Sequence, residues 1–210
     1  MLVEIFSDVV CPWCYVGKRR FEVALARYDG AVQVEWRAFQ LDPRAPREPQ
    51  PVADAYARKF GERAEAIMAH LAAVAAEEGI EMRFDRAMRV NTIDAHRVCW
   101  LAGHSAVPGV QSALEERLMR AYFTEGLDVS DRATLCALAA DCGLDPNEVG
   151  AMLHSQRGVP EVHGEIARAA ELDVMGVPSF VFERRFVVPG AQDPETFLRL
   201  IEMVAARAAR

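Results

Sequence analysis

Residues 2–14 read Leu-Val-Glu-Ile-Phe-Ser-Asp-Val-Val-Cys-Pro-Trp-Cys, an apolar run that ends in a Cys-x-x-Cys motif. The run predicts a buried strand, and the periodicity of the residues that follow predicts a helix directly after the motif. Two cysteines with this spacing at a strand-to-helix turn indicate a redox motif. The alternatives are half of a zinc knuckle and an inert buried pair, but zinc prefers four ligands and the sequence has no second Cys-x-x-Cys.

The order of residues within the motif predicts a role for each cysteine. Pro12 suits the first position of a helix, because its fixed φ fits and its missing N–H needs no partner there. Cys11 is then the N-cap residue, whose sulfur faces unpaired N–H groups and the positive end of the helix dipole, and both favour the thiolate. Cys14 lies one turn further along the same face, within reach of a disulfide. We therefore predict that Cys11 is the nucleophile and Cys14 the resolving thiol.

The composition argues against several classes of protein. The net charge is −7, which disfavours a nucleic-acid partner because phosphate binding needs a basic patch. No apolar run approaches the roughly 20 residues of a membrane span. The chain begins with the predicted strand rather than with a basic and apolar leader, so we expect a cytoplasmic protein. Five cysteines in 210 residues are too few to indicate a secreted disulfide scaffold.

The order of the predicted elements indicates the fold. The elements at the two ends of the chain are a strand at 2–6, a helix at 12–28 that ends near Gly30, strands at 32–38, 179–182 and 186–188, and a helix from Asp193. Those between them are helices at 52–60, 61–78, 92–103, 108–125, 131–142, 145–154 and 159–172. Joined in one sheet, the ends form βαβ…ββα, the arrangement of a thioredoxin fold in the α/β class. We predict a thioredoxin-like domain from residues 1–44 and 161–210, with a large all-helical insertion at 45–160.

Five stretches, spread over nearly the whole chain, are similar to one known family. They are Phe6 to Lys18 around the motif, Gly176 to Phe182, Val188 to Gln192, Asn91-Thr92 with Ala95-His96-Arg97, and Phe123 to Gly126. Together they resemble the DsbA-like thioredoxin proteins of the FrnE type. The resemblance implies thiol–disulfide oxidoreductase activity on a thioredoxin fold with a helical insertion. It also implies a cis Val177–Pro178 bond that faces the Cys-x-x-Cys motif.

The dipeptide between the cysteines departs from that of secreted DsbA, which is usually Pro-His. Trp13 can offer an indole N–H to a thiolate but carries no positive charge. We therefore expect the Cys11 thiolate to be less stabilised, and the cysteine couple less oxidising, than in a strong periplasmic oxidant.

Asn91, His96 and Gln192 are candidates for the rim of a substrate cleft. Alternatively, Asn91 caps a helix with Asp94 at its third position, and His96 and Arg97 are solvated side chains. His104, His154 and His163 show no ligand spacing, so we expect no metal site. The cysteines outside the motif are expected to be small buried hydrophobes: Cys99, Cys136 and Cys142.

We interpret the chain as a dithiol–disulfide oxidoreductase whose partners are protein or small-molecule thiols and disulfides. No bound cofactor is expected, and glutathione is a candidate co-substrate. The alternative is a glutathione-dependent isomerase or transferase of the kappa-class or hydroxychromene-carboxylate isomerase type, which usually has serine at the position of Cys11. A third interpretation is a scaffold that binds peptides through its helical insertion and does not need Cys11. The sequence predicts neither the oligomeric state nor the direction of exchange.

Overall fold

The computed structural model describes residues 1–46 and 48–208. The strands are β1 (Leu2–Ser7), β2 (Gln33–Ala38), β3 (Gln50–Pro51), β4 (Met88–Arg89), β5 (Ser179–Phe182) and β6 (Phe186–Pro189). The helices are α1 (Pro12–Leu25), α2 (Val52–Phe60), α3 (Ala64–Glu77), α4 (Ile93–Gly103), α5 (Val110–Arg120), α6 (Arg132–Asp141), α7 (Pro146–Leu153), α8 (Val159–Glu171) and α9 (Pro194–Ala208). A 3₁₀ turn joins α2 to α3, and a π turn follows α5.

The main sheet has the strand order β2-β1-β5-β6. Strand β1 runs parallel to β2 and antiparallel to β5, so Ile5 lies opposite Trp36 on one side and Phe180 on the other. The two ends of the chain therefore meet in one sheet, although most of the helices separate them in sequence. The predicted thioredoxin fold with a large helical insertion is confirmed. The exact domain boundaries stay a prediction.

Some predicted boundaries are wrong. Helix α1 ends at Leu25, not at residue 28, because the N–H groups of Arg27 and Tyr28 bond three residues back and tighten the chain into turns. Gly30 does not have the positive φ of a helix-terminating glycine. The small antiparallel pair β3–β4 was not predicted, since two residues on each side are too short to show a period. The helix predicted from Asp193 is confirmed as α9, and the Asp193 carboxylate caps its start by accepting the Thr196 N–H at 2.8 Å.

Two large hydrophobic cores hold the molecule together. One lies between the sheet and helices α1 and α9, where Phe21 packs against Phe180 and Phe197 with ring centroids 5.1 and 5.2 Å away. The other lies within the helical part, and both motif cysteines belong to it. The Cys-x-x-Cys turn is therefore packed by the helical core rather than by the core of the sheet.

A buried carboxylate joins the sheet to the helical part. Glu4 in β1 is 0% exposed, and it accepts hydrogen bonds from Arg37 at 3.0 Å and from Arg168 of α8 at 2.8 Å. Arg37 also pairs with Glu165 of α8 at 3.1 Å. A carboxylate without contact to water needs such partners, so this network fixes α8 against the sheet. Among the residues that the structure describes, no helix combines the length and apolar character needed to cross a membrane.

Candidate redox site

Cys11 occupies the N-cap of α1, as predicted, and Pro12 is the first helical residue. Its side chain makes no capping hydrogen bond, however, which differs from the prediction that the sulfur faces the free N–H groups. The protonated thiol instead donates a hydrogen bond to the Val177 carbonyl oxygen at 3.5 Å. A thiol is a weak donor, so this contact holds the sulfur only loosely. Loss of the proton would remove this contact and leave the sulfur beside the start of the helix.

Cys14 lies behind Cys11 and is only 1% exposed, whereas Cys11 is 4% exposed and reaches a cavity. Burial, and after it the neighbouring Cys11 sulfur, raise the pKa of Cys14 well above its usual value. The two cysteines therefore differ in access: one contacts a space that a substrate can enter, and the other is enclosed by protein. Both are thiols in this structure.

The loop before β5 lies against the motif. Its Val177–Pro178 peptide bond is cis, as the resemblance implied. Pro178 also packs close to α1, where a Cβ atom on Gly17 would be 3.0 Å from the proline Cγ. The structure thus brings Cys11, Val177 and Pro178 together across more than 160 residues of sequence.

A cavity of 580 Å³ opens beside Cys11. The motif contributes Cys11, Pro12 and Trp13 to its lining, and Val177 lines it from the facing loop. Helices α2 and α3 supply mainly apolar side chains to it: Tyr56, Phe60, Ala66, Ile67 and Leu71. Burial, together with the nearby Cys11 sulfur, raises the pKa of Tyr56 to about 12, so its hydroxyl stays protonated at neutral pH. These helical residues were not predicted as part of the site. An amphipathic pattern shows that a helix has an apolar face, but it does not show which part of the protein that face packs against.

One family model, the DSBA-like thioredoxin domain, matches residues 2–202 of this chain. The chain belongs to that family. It is 28% identical to the uncharacterized protein YwbO of Bacillus subtilis (strain 168) over 205 residues, which cover 95% of this chain and 94% of YwbO.

Solved structures agree with this family. The crystal structure of probable DsbA oxidoreductase SCO1869 from Streptomyces coelicolor is 38% identical, with a TM-score of 0.90, over 98% of this chain and 90% of that one. The cytosolic disulfide reductase DsbM from Pseudomonas aeruginosa, also solved with GSH, is 20% identical with a TM-score of 0.69. That alignment covers 97% of this chain and 98% of DsbM. At this identity the likeness shows a shared fold and nothing more.

His96 of this DSBA-like protein lies in a buried polar cluster behind the motif, not at a rim. It is 2% exposed, and its Nε2 atom is 3.4 Å from Oδ1 of the buried Asp8. Burial alone would lower the pKa of His96, but Asp8 and then Glu115 reverse this and raise it. Arg97 is equally buried, so the interpretation of both as solvated side chains is wrong. Its guanidinium donates to four groups: the Asp94 carboxylate and the carbonyl oxygens of Met152, Ser155 and Arg157.

The other two cleft candidates do not line the cavity beside Cys11. Asn91 lies at a separate polar cavity, where its side-chain oxygen accepts from Gln40 and from the Ile93 N–H at 3.0 Å. The N-cap of α4 is Thr92 rather than the predicted Asn91. Asn91 is the residue before the N-cap, and it still supports the start of the helix through its bond to the Ile93 N–H. Gln192 folds back onto the Pro189 carbonyl oxygen at 2.7 Å. These contacts account for both residues without a ligand.

The cysteines outside the motif differ from one another. Cys99 is buried as predicted, and burial followed by Glu115 raises its pKa well above the usual value. Cys136 and Cys142 are half-buried, so the prediction that they are core residues is wrong for them. Among the described residues, no group of three or more His, Cys, Asp and Glu side chains has the geometry to hold a metal ion.

Proposed function

We propose that this DSBA-like protein is a dithiol–disulfide oxidoreductase that exchanges disulfides through Cys11 and Cys14. The observation that carries the proposal is the arrangement of the two thiols. Cys11 reaches the cavity at the start of a helix, and Cys14 is enclosed behind it on the same helix face. An accessible attacking thiol with a protected partner is what a two-step exchange needs.

The proposed reaction proceeds in two steps. The Cys11 thiolate attacks one sulfur of a substrate disulfide, a mixed disulfide forms, and the other substrate sulfur leaves as a thiolate. Cys14 then loses its proton and attacks the Cys11 sulfur, which releases the second substrate thiolate and leaves a Cys11–Cys14 disulfide. Two electrons pass from the protein to the substrate. In the opposite direction, a substrate dithiol attacks the oxidised pair and leaves with a disulfide.

Two serine variants test the proposal with insulin as the substrate. Cys11→Ser is expected to lose reductase activity, because no sulfur remains that can attack from the cavity. Cys14→Ser is expected to accumulate mixed disulfides that non-reducing electrophoresis resolves, because attack survives and resolution does not. Cys136→Ala, outside the motif, is the matched control and is expected to keep wild-type activity. Wild-type activity in both motif variants would refute the proposal.

The same variants test the glutathione-dependent isomerase. Such an enzyme needs only the residue at position 11, so isomerase activity that survives Cys14→Ser and not Cys11→Ser would favour it. We propose glutathione as a co-substrate that returns the oxidised pair to the dithiol, which the DsbM structure solved with GSH supports by analogy. Equilibration of the pair in glutathione redox buffers measures its potential and the preferred direction. A cytoplasmic location remains part of the proposal, and cell fractionation tests it.

A further inference from the structure

A second cavity adjoins the cavity beside Cys11. The second has a volume of 560 Å³, and the two share part of their lining: Pro12, Leu41, Tyr56, Lys59 and Phe60. We call the two together the cationic groove. Single sites for small ligands usually occupy about 300–1,000 Å³, so each half alone is large enough for a small molecule. The two halves together offer more room than one small ligand needs, and one of them is lined by Cys11.

The charges that line the groove are opposite to the charge of the protein. The net charge of the chain is −7, but the half beside Cys11 is lined by Lys59, Arg63 and His70 and by no carboxylate. The far half adds Arg44, Arg89 and one carboxylate, Asp42, which is paired with Arg89 at 2.7 Å.

Lys59 and Arg63 are unneutralised and exposed. Neither is within 4.0 Å of a carboxylate oxygen in the described part of the chain, whereas most arginines of this protein are paired. Unpaired cations beside a reactive sulfur attract anionic groups and repel cationic ones. Tyr56 and Phe60 line the same cavity as these cations and the motif, so a chain bound there also meets aromatic surface.

We propose that the cationic groove selects polypeptide disulfides whose cysteine is flanked by acidic residues, with Lys59 and Arg63 as the specificity-determining side chains. The inference rests on the proposed exchange at Cys11 and names its substrate class. A polypeptide fits better than a small acidic disulfide, because the cations extend along both halves of the groove and not only around the sulfur. The chemistry is that of the proposed exchange, with the electrons supplied by the reduced Cys11–Cys14 pair.

The test compares three peptides of equal length that contain one disulfide, flanked by Glu, Gln or Lys. Rates are measured in a single turnover of reduced protein at low and high salt. The wild type is expected to reduce the Glu peptide about tenfold or more faster than the Lys peptide, with the ratio falling as salt screens the charges. Lys59→Glu/Arg63→Glu is expected to invert the ratio, and Lys59→Gln/Arg63→Gln to bring it near one.

Arg58→Glu is the matched control. Arg58 is exposed on the same helix as Lys59 but lines neither half of the groove. Arg58→Glu makes the same change of charge as Lys59→Glu alone, so Lys59→Glu is expected to lower the ratio and Arg58→Glu to leave it as in the wild type. An equal shift in Arg58→Glu would overturn the proposal, because the effect would then come from overall charge. A wild-type ratio near one would also overturn it.

Glutathione disulfide, a small acidic disulfide, tests whether the groove selects a small molecule instead of a polypeptide. If only the rate with glutathione disulfide depends on Lys59 and Arg63, and the rates with the peptides do not, the cations select a small molecule and the proposed polypeptide substrate is rejected.

The peptide rates also separate the groove's selectivity from the exchange itself. Failure to reduce any of the three peptides would refute the exchange at Cys11 and the inference with it. Reduction of all three at equal rates would refute the inference alone.

Discussion

At the scale of single residues, the two motif cysteines have the same chemistry and different surroundings. Cys11 contacts the cavity, and Cys14 is enclosed with a raised pKa whose largest cause is burial. The attacking step therefore depends on access, whereas the resolving step depends on how often Cys14 loses its proton.

The raised pKa of Cys14 predicts a pH profile for the resolving step. The resolving rate is expected to rise about tenfold per pH unit between pH 6 and 8, because far below its pKa the thiolate fraction of Cys14 rises by that factor. Reaction of reduced protein with excess chromogenic aryl disulfide releases one thiolate on attack and one on resolution, so the two phases can be timed separately. Cys14→Ser is the control and should lose the second phase. A second phase that levels off below pH 8 would contradict the raised pKa.

Residues also show how far the sequence alone could lead. The positions of Cys11, Pro12 and Cys14 at the start of α1 could be predicted, because they depend on local spacing at a strand-to-helix turn. His96 and Arg97 could not be placed, since polar residues at a helix start usually face water. Their partners lie far away in sequence: Asp8 for His96, and the carbonyl oxygens of Met152, Ser155 and Arg157 for Arg97. Lys59 and Arg63 of the groove could not be predicted for the same reason, because the sequence around them does not show that α2 lies beside the Cys-x-x-Cys motif.

At the scale of elements, α1 and the loop before β5 meet at a position without a side chain. A Cβ atom on Gly17 would lie 3.0 Å from Pro178 Cγ and 3.3 Å from Ala191 Cβ, which is closer than ordinary packing. Glycine at position 17 therefore allows the helix that carries both cysteines to contact the loop that carries Val177.

Replacement of this glycine is expected to destabilise the protein. Gly17→Ala should lower the free energy of unfolding by about 1–3 kcal/mol, since overpacking outweighs the better helix propensity of alanine. Gly164→Ala in α8 is the control, because a Cβ atom there meets nothing within 4 Å and alanine should raise stability by about 0.5–1 kcal/mol. Urea unfolding measures both. Equal stabilisation by the two substitutions would show that α1 and the loop are not in tight contact.

At the scale of the whole molecule, the buried Glu4 network holds α8 to the sheet. Glu4→Gln should lower the free energy of unfolding by about 2–3 kcal/mol, because the fully buried side chain at position 4 loses its charge-assisted hydrogen bonds to Arg37 and Arg168. Glu195→Gln is the matched control: its pair with Arg27 at 2.9 Å is exposed, so no measurable change is expected. Equal unfolding curves for wild type and Glu4→Gln would show that the network contributes no net stability.

The division into two cores leads to a separate prediction about the exposure of Cys14. Because Cys14 belongs to the helical core, loosening that core should expose it more than equal loosening of the core of the sheet. Leu118→Ala in α5 and Ile201→Ala in α9 each remove a fully buried side chain, and each should cost about 2–5 kcal/mol.

Alkylation of Cys14 under native conditions, read by mass spectrometry, distinguishes the two variants. It is expected to be several-fold faster in Leu118→Ala than in Ile201→Ala once the rates are compared at matched global stability, because local opening of the helical part uncovers the thiol without unfolding the sheet. Equal rates at matched stability would mean that Cys14 becomes accessible only when the whole chain unfolds. The helical part would then be an inseparable half of one cooperative unit, and the predicted division into two domains would have no energetic counterpart.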